Sequence, residues 1–113
     1  MAIFDTQNGR VVTTLPIGEG VDANAFDPST ALAFSSNGEG TLTVIHEDSA
    51  DRFSLVENVP TERGARTMAL DLKTHRVFLP TAEYGPLPEP TQDNPRPRPP
   101  IKPGTFAVLV LGP

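Results

Sequence analysis

Short apolar runs broken by Gly, Pro, Asn and Asp recur along the whole chain. Ala2-Ile3-Phe4-Asp5 and Arg10 to Leu15 flank Asn8-Gly9, a pairing that predicts a tight hairpin because both central residues of such a turn need positive φ. Pro16 closes the second run, and Gly18-Glu19-Gly20 connects onward. Strands are predicted over Asp22 to Phe26 and Ala31 to Ser35, joined by Asp27-Pro28-Ser29-Thr30. There Pro fixes φ and the Asp side chain bonds the backbone ahead of it. After the turn Asn37 to Gly40 come strands at Thr41 to Ile45 and Phe53 to Val59, separated by the polar turn Glu47 to Asp51 and ended by Pro60. Two more follow at Arg66 to Leu70 and Arg76 to Leu79, around the turn Asp71 to His75. No stretch carries a helical period, and the spaced Pro and Gly residues would break one. The chain is expected to be all-β.

The pattern is written twice. Val21 to Phe34 returns as Ala65 to Phe78, 44 residues later, with Gly20, Ala25, Asp27, Thr30 and Phe34 recurring as Gly64, Ala69, Asp71, Thr74 and Phe78. A repeat of that length built from short strands is the mark of an array of blades. With the strands of one blade labelled a to d, residues 1–18 supply c and d, 19–60 a full blade, and 61–113 a, b and c. The last blade is interrupted at Pro86 to Pro103, where eight of eighteen residues are Pro and a surface loop is predicted. Gly104 to Leu109 then resumes the pattern of Gly40 to Ile45. The fold expected is β-propeller blades, four-stranded antiparallel meanders, about two to a chain, where a ring needs about four to eight. Other copies or further sequence would complete it.

Three segments together carry a family resemblance: Ile3-Phe4-Asp5-Thr6, then Leu15-Pro16-Ile17-Gly18, then Ala25-Phe26-Asp27-Pro28. In this order they resemble the YVTN-type repeat of YncE-like, surface-layer-like β-propellers. The resemblance covers nearly the whole chain outside the Pro-rich insert, and departs from the pattern at Phe53 to Asn58, where strand d is longer. It implies a propeller fold and a parent family often periplasmic or secreted, and it raises single-stranded DNA as a ligand.

Composition narrows the partners. The net charge of −5 argues against broad attraction to nucleic acid or anionic membrane. The chain has no Cys, which removes disulfides and thiolate chemistry. No apolar run approaches the roughly 20 residues of a membrane span. Met1 leads almost directly into a strand-like run, so no export signal is expected here. Localisation is left open.

In a meander the d-to-a and b-to-c connections leave at one end, which collects Glu19, Asp22, Arg63, Arg66 and Tyr84 as candidate ligand-face residues. Tyr84 is the one evident stacking surface there, which disfavours nucleic acid. His46 and His75 occupy unrelated positions of the repeat, so no histidine cluster for a metal is expected. Glu47, Asp48 and Asp51 are oxygen donors that serve a polar turn equally well. Ser35, Ser36, Ser49 and Ser54 lack a nucleophile-elbow setting. Pro97 to Lys102 fits a Pro-x-x-Pro-x-Lys docking peptide or a stiff loop. No catalytic residue, metal site or cofactor is assigned. The expectation is a non-enzymatic binding or scaffold module that forms a closed ring with other copies, three being favoured, and takes a small molecule or peptide. The alternative is a fragment of a propeller enzyme, lactonase-like, otherwise hydrolytic or cofactor-dependent, with its site in the central channel.

Overall fold

The computed structural model describes residues 1–113. It contains nine strands and no helix: β1 (Ala2–Phe4), β2 (Val11–Thr14), β3 (Val21–Asp27), β4 (Leu32–Asn37), β5 (Thr41–Ser49), β6 (Arg52–Pro60), β7 (Ala69–Asp71), β8 (Arg76–Thr81) and β9 (Ala107–Leu111). They form three antiparallel sheets in chain order: sheet 1 is β1-β2, sheet 2 is β3-β4-β5-β6 and sheet 3 is β7-β8-β9. No sheet closes on itself. The Cα radius of gyration is 16.5 Å, against about 13 Å for a compact domain of about 100 residues.

Pairing follows the sequence repeat position by position. Ala25 faces Phe34 and Asp27 faces Leu32 in sheet 2, while Ala69 faces Phe78 and Asp71 faces Arg76 in sheet 3. The turns between them match as well, with Ala31 and His75 both left-handed at φ 56° and 57°. Sheet 1 repeats the last two strands of sheet 2. β5 faces β6 through Thr43–Asn58, Val44–Glu57 and Ile45–Leu55, skipping Val56, and β1 faces β2 through Ala2–Thr14, Ile3–Thr13 and Phe4–Val11, skipping Val12. The bulge therefore recurs at the same place in both hairpins, 44 residues apart along the outer strand.

Several local expectations are corrected. Asn8 does not adopt positive φ; Gly9 alone does, at 71°. The first hairpin is closed by a four-residue loop between Asp5 and Arg10, where Asp5 N–H donates to Arg10 O at 2.8 Å and Gly9 N–H donates to Asp5 O at 2.7 Å. The Asp5 carboxylate supplies what an Asn-Gly turn would not need, accepting from Gln7 N–H and the Asn8 side-chain amide. Glu47 to Ser49 belong to β5, so that hairpin turns at Ala50-Asp51. Arg66 to Met68 lie outside the ladder of β7. By the repeat, Thr67 should face Pro80 as Ala23 faces Ser36, and Pro80 has no N–H to extend the pairing.

Strand β9 sits two residues from its expected register. Val77 faces Leu111 as Ala33 faces Ile45, so Leu111 rather than Leu109 holds the Ile45 position. A slip of two leaves every side chain on its own face, because strands alternate with a period of two.

One apolar core lies between sheets 2 and 3. Phe34, Leu42 and Val44 meet Ala65, Val77 and Leu79, flanked by Leu32, Val59, Met68, Leu70, Leu109 and Leu111. The other face of sheet 2 carries Ser35, Asn37, Thr43 and Ile45, all buried. Their polar atoms satisfy one another: Ser35 Oγ donates to Asn37 Oδ1, Asn37 Nδ2 donates to Thr41 Oγ1 and Thr43 Oγ1, and Thr43 Oγ1 donates to Asn58 Oδ1. Gly18 closes over this network, its N–H donating to Thr43 Oγ1 at 3.2 Å.

Candidate functional site

Alternate connections of the meanders emerge at one end, where backbone hydrogen bonds stitch them together. Gly38 N–H donates to Gly20 O, Glu39 N–H to Glu19 O, Thr61 N–H to Gly40 O and Gly64 N–H to Gly38 O, at 2.8 to 3.2 Å. Such approach requires small residues. A Cβ on Gly38 would stand 3.1 Å from Gly20 O, and one on Gly64 would stand 2.6 Å from the Tyr84 ring. Tyr84 is fixed there by the base of the Pro-rich loop, where it bridges to Ile101. Gly85 N–H donates to Pro100 O, Lys102 N–H donates to Glu83 O, and Lys102 Nζ pairs with Glu83 at 3.7 Å.

The five candidate ligand-face residues belong to these connectors or border them. Glu19 lies beside Glu39 through their backbones. Asp22, at the start of β3, accepts from Thr67 Oγ1 at 3.3 Å. The Arg66 carbonyl accepts from the buried Ser36 hydroxyl, and the Arg66 side chain passes near Gly38. Arg63 backbone lies against Gly40. Neither Arg63 nor Arg66 pairs with a carboxylate; Lys102 pairs with Glu83, while His46 and His75 meet Asp48 and Asp27. The end thus offers two uncommitted guanidinium groups, the acids Glu19 and Glu39, and one aromatic ring. Mixed charge of this kind suits a zwitterionic or peptide-like surface better than a polyphosphate.

The opposite end holds a contact that reading the sequence missed. Asp27 is 1% exposed and receives His75 Nδ1 at 2.6 Å from the equivalent turn of sheet 3. Ser29 N–H and Oγ both donate to its other oxygen, at 3.0 and 2.8 Å. Burial alone would raise the Asp27 carboxyl, but the bonds from Ser29 and His75 outweigh it and hold it well below the usual carboxylate range. Asp71, in the equivalent turn, is lowered by Thr74 and Lys73, and Asp48 by His46 and Ser54. The signal was present in the repeat, because equivalent turns of successive sheets fall side by side.

The Asp27 cluster is a clamp and not a nucleophile relay. Asp27 binds Ser29 and His75 alike, and Ser29 Oγ stands 3.5 Å from the same Nδ1 that Asp27 engages. A relay would need the other ring nitrogen on the serine. Nor does the chain bring three or more acids or histidines together as metal ligands. Asp48 is engaged by His46 at 2.7 Å, while Glu47 and Asp51 line a groove of about 360 Å³ with Ile3, Phe4 and Phe53.

A scan against family models found no match, and neither did searches of curated proteins and of solved structures.

Proposed function

We propose that the chain is a non-enzymatic binding or scaffold unit of β-propeller type, assembling head to tail with other copies into a closed ring. One observation carries the reading: side chains buried in sheet 2 have exposed counterparts in the terminal sheets. Leu42 is 2% exposed and its equivalent Val108 47%. On the opposite face Ile45 is 0% exposed and its equivalent Phe4 in sheet 1 is 56%. The outer face of sheet 3 thus matches the face that sheet 2 turns toward its successor. The outer face of sheet 1 matches the one that sheet 2 turns toward its predecessor. Seating sheet 3 of one copy beside sheet 2 of the next, in the place that sheet 1 holds, repeats a packing already made between sheets 2 and 3, and a heterologous contact of this kind closes when the rotation permits.

Three copies, each supplying two four-stranded blades with the first strand, β1, left over, make a ring of about six, within the range of about four to eight. The stitched loop end then becomes a rim bearing Glu19, Asp22, Arg63, Arg66 and Tyr84, which faces a small molecule or peptide. Light scattering coupled to size exclusion tests the assembly, with three chain masses expected. One chain mass at every concentration up to the solubility limit would refute it.

A further inference from the structure

We infer that the strand completing sheet 3 is β2 of a second copy, exchanged out of its own hairpin, and that β1 holds the place which β9 of the neighbour takes. This rests on the assembly proposed above and adds the identity and register of the joining strand.

Strand β9 has an open edge. In sheet 2 the equivalent edge of β5 is filled by β6, but in sheet 3 no strand follows β9. A groove of about 260 Å³ runs beside that edge, between Leu109-Val110-Leu111 and Pro60-Thr61-Glu62. An unpaired strand edge beside an open groove is a template for one more strand.

The chain contains a second strand of the β6 kind. Thr14, Thr13 and Val11 occupy in β2 the places of Asn58, Glu57 and Leu55 in β6, including the skipped residue between the last two. Leu109, Val110 and Leu111 occupy the places of Thr43, Val44 and Ile45. Transferring the observed register sets Thr14 opposite Leu109, Thr13 opposite Val110 and Val11 opposite Leu111 of the neighbouring copy.

Those three places are held within the chain by Ala2, Ile3 and Phe4. The holder is short: β1 has three residues, whereas β5 has nine. Exchange trades the β1–β2 pairs for pairs of identical geometry on the five-residue β9, and fills the β9 edge. The occupant is a second copy because β2 already carries the register and the bulge that this edge requires.

The absence of native Cys makes disulfide trapping clean, and directly opposed residues of antiparallel strands lie at about 4.5 to 5.5 Å between Cα atoms, within disulfide reach. Thr13→Cys with Val110→Cys should give chain-to-chain disulfides on a non-reducing gel. Ile3→Cys with Thr13→Cys should lock the hairpin, so that the oxidised protein runs at one chain mass and reduction restores the assembled mass. Wild-type protein run alongside separates the two readings. A wild type at one chain mass overturns the ring and the exchange together. An assembled wild type whose oxidised Ile3–Thr13 variant assembles equally well overturns the exchange alone.

Discussion

Val44 and Val110 are the same residue at the same position of the repeat in two environments, which makes their truncation a measurement of what covers each sheet. Val44 is 7% exposed, packed against sheet 3, and Val110 is 54% exposed on the outer face of that sheet. Val→Ala removes two methyl groups, about 1.6 kcal/mol of lost transfer energy at about 0.8 each. At Val44 the cavity left behind adds about 1 kcal/mol, for a total of about 2 to 3. At Val110 about half the side chain is already in water and solvent fills the space, so about 0.8 kcal/mol is expected. At about 4 °C per kcal/mol for a chain of this size, thermal unfolding in dilute solution should fall by about 10 °C for Val44→Ala and by about 3 °C for Val110→Ala. The Val110→Ala loss should grow toward the Val44→Ala value as concentration rises into the range where copies assemble. Equal losses at a concentration where the mass is that of one chain would refute the assignment of buried and open faces.

Three further outcomes follow from particular residues. Gly18→Ala would set a Cβ 2.3 Å from both Glu39 Oε1 and Thr41 Oγ1 and 2.6 Å from Asn37 Nδ2; it should displace the polar network and cost more than about 2 kcal/mol, and a melting curve matching wild type would contradict this geometry. Ala31→Gly relieves a left-handed alanine at φ 56° and should stabilise by about 0.5 to 1 kcal/mol, a gain that denaturant titration would show as a higher midpoint with unchanged slope. Asp27 has a carboxyl lowered on folding, so its contribution is present above the unfolded value near 3.8 and is lost as pH falls below it toward the folded one. Wild-type unfolding temperature should therefore drop through that acid window and Asp27→Asn should flatten the drop; identical acid limbs for the two proteins would exclude the clamp.

Reading the sequence reached the strand order and the repeat because both are written in local chemistry. Turn residues such as Asp27-Pro28 and Asp71 act within a few positions of themselves, and strand parity shows in alternation. It missed the β9 register because Gly104 to Leu109 and Phe106 to Leu111 present nearly the same alternation, and only pairing with β8 separates them. It overextended β7 because the limit is set by Pro80 on the facing strand. It placed the connectors that gather Glu19, Arg63, Arg66 and Tyr84 at one end, which follows from meander topology. It did not foresee His75 on Asp27, since the two stand 48 residues apart and meet only when successive sheets stack. The missed features are all relations between segments, and each lies one level above the local signals.

Burial at equivalent positions of the three sheets supports the proposed closed assembly over an open row of chains. Ile45, Leu111 and Phe4 hold one position in the three sheets, and they are buried, half-buried and exposed in turn. Val44, Ile3 and Val110 hold a neighbouring position on the other face, and they are buried, half-buried and exposed. The side chains are alike in kind, so burial here is set by whether another sheet stands on that side. A linear row of such sheets ends in two apolar faces however many copies join it, and exposed apolar faces of this sort drive further association. A pair joined at a single contact would keep one open face at each end. Only return of the last face onto the first removes both, which is the condition the proposed ring meets.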